Sequence, residues 1–490
     1  MTLSFRPETP GVKTTLVLLT IIHLHTFPST RSSPIVYSPT TRLLAPRSFR
    51  TNIYFEMSNS ASHSPTRSSC SSISEIDTPN TGRSVLFGDR LDEFWPADPE
   101  YILVVGGLGY IGSHTCLELL KAGHNILIVD NLSNSFQSVY ERISSLATKY
   151  HEERNQSSPL MRLYEADYRD ETAITDILRE YIKPASLHDG DSEVPRQSYI
   201  KGVIHFAAYK SVSESISNPL KYYANNVAGL IEFCAVLQDF NIKTLVFSSS
   251  ATVYGAVANS GIPLREEYCT HQPETFVDYD GATKTTEGGC TGLTNPYGRS
   301  KWMCEAILSD LARADPEWTI LALRYFNPVG CDSSGLLGED PRGIPTNLVP
   351  VVVRVMTGAS PALSVFGDDY ATPDGTAIRD FIHVSDLATG HVAALSSAAA
   401  GRVPRGFRTY NLGSGTGQSV YDVVRALEAA SSTKIPVQLM PRREGDVGTC
   451  VAMPRRAELE LKWKTERSLE TCCKDIVNFL DHSKGGPVST

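Results

Sequence analysis

A tyrosine and a lysine stand four residues apart in Asn295-Pro-Tyr-Gly-Arg-Ser-Lys301. In a helix that spacing puts Tyr297 and Lys301 on one face. A phenol starts near a pKa of ~10, and a neighbouring cation favours its ionised form. A phenolate held beside an alcohol is a general base that takes the hydroxyl proton as the carbon is oxidised. Ser250, at the end of the run Thr244-Leu-Val-Phe-Ser-Ser-Ser250, is suited to hold the substrate oxygen or relay the proton.

Such chemistry needs a hydride carrier, and the sequence offers a place for one. Ile102-Leu-Val-Val105 reads as a buried strand broken by Gly106, Gly109 and Gly112, with a helix expected over residues 115–122. Glycines at a strand-to-helix turn let a pyrophosphate approach the helix N-terminus, because no Cβ blocks it. Asp130 closes the next strand, Asn125–Asp130, where a carboxylate would accept hydrogen bonds from an adenosine ribose and disfavour a 2′-phosphate. NAD is therefore the expected cofactor.

The elements that must position these groups alternate from Tyr101 onward. Residues 163–167 and 202–208 read as third and fourth strands, a long helix spans 219–238, and Thr244–Ser250 follows. This rhythm predicts an α/β fold with a doubly wound parallel sheet of Rossmann type, carrying ligands at the carboxyl ends of its strands. Polar stretches at 188–198 and 278–294 read as surface inserts, the second lying just ahead of Tyr297 and able to cover the site or merely extend the surface.

The chain has 490 residues, is 41% hydrophobic and carries a formal net charge of -9. That charge argues against nucleic acid as a partner. Its 10 cysteines include no Cys-x-x-Cys pair, so neither a metal site nor a disulfide framework is indicated. Residues 1–97 are rich in Ser, Thr and Pro and read as a disordered, low-complexity extension. The apolar run Leu16–Ile22 is far short of the ~20 residues that span a bilayer, though its length suits a secretory signal core. With Glu8 upstream, no clear cleavage site and a second methionine at Met57, a cytoplasmic enzyme is expected, not a secreted or membrane protein.

Several blocks, in order, resemble the UDP-glucose 4-epimerases of the extended short-chain dehydrogenase/reductase superfamily. They include Gly106-Gly-Leu-Gly-Tyr-Ile-Gly-Ser-His114, Val129-Asp-Asn-Leu-Ser-Asn-Ser135 and Ser248-Ser-Ser-Ala-Thr-Val-Tyr-Gly255. Asn295 to Lys301, Arg324-Tyr-Phe-Asn-Pro-Val-Gly330, Gly338-Glu-Asp-Pro-Arg-Gly-Ile-Pro345, Arg379-Asp-Phe-Ile-His-Val384 and Pro441-Arg-Arg-Glu-Gly-Asp446 complete the series. The resemblance covers about Tyr101 to Ser483.

It implies an isomerase that interconverts UDP-glucose and UDP-galactose by hydride abstraction at C4, rotation of a 4-keto sugar and hydride return. NAD would meet Tyr110 and Ile111, then Asp130, Asn131, Leu132, Ser133, Asn134 and Ser135. Asp167 and Tyr168 would lie at the adenine. Phe206, Ala207, Ala208, Tyr209, Lys210 and Asn226 would follow the ribose and nicotinamide, with Ser250, Tyr297, Lys301 and Phe326 around the reacting ring. Asn327, Asn347 and Leu348 would touch sugar and diphosphate, and Ser364, Val365 and Phe366 the uracil. Arg379 and Arg443 would hold the diphosphate, since a guanidinium fork matches phosphate oxygens, and Asp446 the uridine ribose.

The same resemblance implies a division at 98–330 for NAD and 331–484 mainly for the UDP-sugar, the chain partly returning to the first part, a tail at 485–490, and a homodimer. Where family members restricted to glucose and galactose carry a tyrosine, this sequence has Cys450, which predicts room for N-acetylated UDP-hexoses. A dehydratase would need an Asp-Glu pair where Ser250-Ala-Thr252 stands. A non-catalytic NAD-binding scaffold would have lost Tyr297 or Lys301. A mutarotase fusion would need more chain after Thr465.

Overall fold

The computed structural model describes residues 99–184, 197–290, 292–443 and 446–485. The expectations for the 97-residue extension, for most of the 188–198 insert and for the last five residues lie outside them.

Seven strands form the central sheet: β1 (Tyr101–Val105), β2 (Asn125–Asp130), β3 (Met161–Glu165), β4 (Ile200–His205), β5 (Thr244–Ser250), β6 (Thr319–Tyr325) and β7 (Gly406–Leu412). Their spatial order is β7-β6-β5-β4-β1-β2-β3, every pairing is parallel, and the order reverses between β1 and β4. That reversal is where open α/β sheets bind ligands.

The central strands are apolar on both sides because helices cover both faces. Leu103, Val105, Leu127, Val129, Leu245 and Phe247 pack into one core. The alternate residues Ile102, Val104, Ile126, Ile128, Ile204 and Val246 pack into the other. This is the two-residue period of a strand read on both faces.

Helix α1 (Tyr110–Lys121) starts directly after Gly109, five residues earlier than expected. Ser113, His114 and Thr115 are buried there, so polarity does not follow exposure and periodicity does not reveal the helix start. The helix expected over 219–238 is divided by a π-helical turn, Tyr223–Ala228, whose extra residue buries both Asn225 and Asn226.

Beyond β6 the chain builds a second layer. Ile378–His383 pairs in parallel with Asn327–Val329 and Thr449–Cys450 and antiparallel with Gly417–Ser419. Leu363–Phe366 pairs with Val437–Met440. Helices Leu348–Met356, Val420–Ser431 and Leu469–Gly485 cover a third core. The insert ahead of Tyr297 contains an antiparallel hairpin, Glu274–Val277 with Thr283–Thr286. Among the described residues no helix is long and apolar enough to cross a membrane, and no group of three His, Cys, Asp or Glu could hold a metal ion.

Candidate active site

Gly106, Gly109 and Gly112, the spaced glycines after β1, have two different reasons to be glycine. Gly106 has φ +76, and a Cβ there would meet the Ala207 amide nitrogen at 2.9 Å. A Cβ on Gly112 would lie 2.3 Å from the Gly106 carbonyl oxygen. Both are demanded by the protein's own packing. Gly109 is not: its φ is -68, and the nearest atom to an added Cβ is 3.5 Å away. Gly109 caps α1 without any side-chain hydrogen bond, and no acidic residue occupies the first turn. The amides there face open space, as an approaching anion requires.

A cavity of about 1080 Å³ opens over this turn. Of the residues expected at NAD, Gly106, Gly109 to Gly112, Asp130, Asn131, Ser133 to Ser135, Tyr168, Phe206 to Lys210, Tyr297 and Lys301 line it. Asp130 is bound by its own loop as well: Oδ2 accepts from the Leu108 amide at 2.9 Å, while Oδ1 accepts from the Leu132 amide at 3.0 Å and the Ser135 hydroxyl at 2.8 Å. The aspartate thus fixes the edge of the cavity.

Leu132, Asp167, Asn226, Ser250 and Phe326 are not among the lining residues. The Asp167 carboxyl is held at about 2 by Arg169. Asn226 spends its amide on protein partners: it accepts from the Tyr209 amide at 2.9 Å and donates to the Tyr209 carbonyl and the Ser300 hydroxyl, each at 3.0 Å. It braces the wall from behind.

The catalytic candidates lie on helix α2 (Pro296–Ala314), whose N-terminus is set by Pro296 and by Asn295 accepting from the Gly298 amide at 2.8 Å. Residues 297, 301 and 305 face the last three residues of β5 as successive rungs. Ser250 lies beside the Tyr297 phenol and acts on its ionisation. Lys301 Nζ donates to the Ser248 carbonyl at 2.6 Å and its hydroxyl at 3.2 Å. The Ser249 hydroxyl donates to Glu305.

Ser250 is itself held by the Thr252 hydroxyl at 2.9 Å and amide at 3.2 Å. Burial raises the Tyr297 phenol, with Ser250 pulling the other way. Burial lowers the Lys301 ammonium to about 8, opposed by Cys304 and Glu305. Lys301 is spent on the strand end, and the protein's own groups leave the phenol protonated.

Glu305 was not anticipated. It is fully buried, and although burial pushes its carboxyl up, Arg324 and His271 hold it at about 2. Arg324 donates to its two oxygens at 3.0 and 2.7 Å, and His271 lies 2.8 Å away. The signal available in the sequence was its position four residues beyond Lys301.

The residues expected at the UDP-sugar gather on the second layer, with Asn347 alone reaching the cavity wall. Arg379 and Cys450 are paired across adjacent strands. Arg443 Nε donates to Asp446 at 2.9 Å, and its guanidinium carbon Cζ lies 4.6 Å from the Phe366 ring centroid. Asn327 Nδ2 donates to the Asp380 carbonyl at 3.0 Å. Ser364 is exposed, whereas Val365 is buried in the third core and offers a ligand only backbone. Leu348 opens its helix and packs against that same core. Burial raises the Cys450 thiol to about 11, and the side chain packs against the apolar cluster that contains Phe326 and Ala251.

Residues 337–347 cross the cavity as a strap. Lys210 Nζ pairs with Glu339 at 3.0 Å, and Arg342 Nε donates to the Ser135 carbonyl at 2.8 Å. Lys210 was expected at the cofactor, and its partnership with Glu339 was not foreseen.

The switch point of a parallel sheet, an open helix N-terminus and a tyrosine-lysine helix face beside it define a dinucleotide-binding α/β protein of the Rossmann type. Residues 102–413 match the NAD dependent epimerase/dehydratase family. The UDP-glucose 4-epimerase of Bacillus subtilis (strain 168) is 44% identical over 385 residues, 79% of this chain and 98% of its own. That of Mus musculus is 42% identical over 387 residues, 79% of this chain and 98% of its own. The structure of UDP-glucose 4-epimerase from Bifidobacterium longum in complex with NAD+ and UDP superposes with a TM-score of 0.65 at 40% identity, covering 79% of this chain and 100% of that one. The chain belongs to the NAD dependent epimerase/dehydratase family, among the UDP-glucose 4-epimerases.

Proposed function

We propose that the protein is an isomerase that inverts C4 of UDP-hexoses, interconverting UDP-glucose and UDP-galactose, with NAD as a resident cofactor. The observation that carries this reading is the set of rungs by which Lys301 and Glu305 hold Ser248 and Ser249, with Tyr297 and Lys301 lining the dinucleotide cavity and Ser250 beside Tyr297. The residues fit NAD, since Gly109 leaves a cradle that its own packing does not need. NAD, when bound, supplies the hydride acceptor for C4 and a positive ring that favours the Tyr297 phenolate.

The chain's own residues do the rest. Tyr297 takes the C4 hydroxyl proton and later returns it, and Ser250, oriented by Thr252, hydrogen-bonds the same oxygen. Lys301, seated on the Ser248 carbonyl, fixes the helix face. Arg379 and Arg443 are the cations for the diphosphate and Asp446 accepts from the ribose, anchoring the nucleotide while the sugar turns. The segment Ser250-Ala-Thr252 holds no carboxylate, which disfavours the dehydratase.

Cys450 leaves space where a tyrosine would fill the sugar pocket, and we extend the substrate range to N-acetylated UDP-hexoses. A homodimer is supported by Ile216, Leu220 and Ile231, exposed at 57%, 79% and 48%. A cytoplasmic setting is supported by the absence of any disulfide among the nine cysteines of the described residues.

The test is to incubate purified protein with UDP-galactose and follow UDP-glucose with and without added NAD. Product in both supports the reading with a resident cofactor. No product in either favours a scaffold, and a 4-keto-6-deoxy product favours a dehydratase.

A further inference from the structure

Where the chain leaves β5 and returns to α2, two cysteines outside the catalytic set are brought face to face. The Gly289 amide donates to the Thr270 carbonyl at 2.8 Å. Gly288 lies so close that an added Cβ would sit 2.7 Å from the His271 carbonyl oxygen. One residue beyond this backbone contact on either side stand Cys269 and Cys290.

The side chains agree with the backbone. Both thiols meet the Val253 carbonyl oxygen, Cys269 Sγ at 3.4 Å and Cys290 Sγ at 2.8 Å. Two sulfurs that converge on one oxygen stand close together.

We propose that Cys269 and Cys290 are a modification site, a dithiol that low-molecular-weight organic disulfides oxidise to an intramolecular disulfide. The half-buried Cys290 reacts first: its thiolate attacks the small disulfide, one S–S bond breaks, one mixed S–S bond forms and a small thiolate leaves. Cys269 then loses its proton to solvent and attacks the Cys290 sulfur, expelling the second small thiol. Two protein thiols are oxidised and one organic disulfide is reduced to two thiols. Cys269 is 1% exposed, and the neighbouring Cys290 followed by burial holds its thiol well above its ordinary value. An external reagent therefore cannot use it first, and the second step quickens with rising pH.

The bond would clasp the base of the Glu274–Thr286 hairpin and tie the segment leading into Tyr297 to Val253, three residues past Ser250. Closing that loop constrains the unfolded chain, so oxidation should raise the melting temperature. None of this depends on the catalytic reading.

The full-length protein is reduced, desalted and treated with oxidised glutathione in mildly alkaline buffer, then mapped by non-reducing peptide mass spectrometry. The expected result is a Cys269–Cys290 linked peptide lacking two hydrogens, a higher melting temperature, and reversal of both by dithiothreitol. C269S should trap a glutathione adduct on Cys290, and C290S should give neither link nor adduct at this site. A stable glutathione adduct on Cys290 in the wild type, a link from Cys290 to another cysteine, or no reaction at either thiol overturns the proposal.

Discussion

Lys301 lets the cost of the catalytic helix face be measured. Its ordinary value of 10.5 is lowered by burial to about 8. At 1.36 kcal/mol per pH unit, holding the ammonium in the folded protein costs about 3 kcal/mol at neutral pH. Replacing it in Lys301→Met removes that cost but leaves the Ser248 carbonyl without its donor, a loss of ~1–3 kcal/mol. At pH 7 the variant should therefore be as stable as the wild type or slightly more so.

The sign then changes with pH. Between pH 8 and 10.5 the unfolded wild-type chain still holds the Lys301 proton while the folded chain has released it. Wild-type stability therefore gains in this window, by up to about 3 kcal/mol, and the variant, with no such group, does not. Urea unfolding of both proteins from pH 7 to pH 10 reads the difference. A stability difference that is flat with pH, or that moves towards the variant as pH rises, refutes the placement of a buried ammonium here. Activity provides the second reading: the wild-type kcat/KM should fall as pH rises through about 8, and the variant should be inactive throughout.

Three further outcomes follow from the same geometry. Gly109→Ala should fold normally yet retain little NAD after purification, because its Cβ meets only cavity, whereas Gly112→Ala should fail to accumulate as folded protein; absorbance ratios and yield distinguish them. Glu305→Gln leaves Arg324 buried without its counter-charge, which should cost ~3–5 kcal/mol. With ~2.1 cal/mol/K per residue over roughly 390 folded residues, that lowers the melting temperature by about 4–6 °C in scanning fluorimetry. Cys450→Tyr should abolish turnover of UDP-N-acetylgalactosamine while sparing UDP-galactose, and equal activity of both proteins on the N-acetylated sugar would remove Cys450 from the argument.

What could be read from the sequence follows the range of the forces involved. Thr244–Ser250 is found with the bounds that its apolar run suggests, since burial on both faces writes itself into consecutive residues. The third strand lies two residues earlier than expected, at Met161–Glu165, because Asp167 turns aside to pair with Arg169. The start of α1 was hidden because its polar residues Ser113, His114 and Thr115 are buried. The π-helical turn was hidden because nothing local calls for its extra residue; it is held by Asn226 bracing Tyr209 and Ser300 from opposite directions in the sequence.

The site divides in the same way. Tyr297 and Lys301 could be read as a pair because a helix fixes their relation within one turn. Glu305 stands at the same spacing, yet an acid there ordinarily faces water. It is buried only because Arg324 and His271 arrive from β6 and from the loop after β5. A carboxylate enclosed in this way holds the strand end through Ser249, so the register of all three rungs depends on partners that no local pattern announces. The functional face is thus a short-range motif whose accuracy is supplied over long range. For that reason a substitution at Glu305, remote from any substrate, should disturb Tyr297 and Lys301 together.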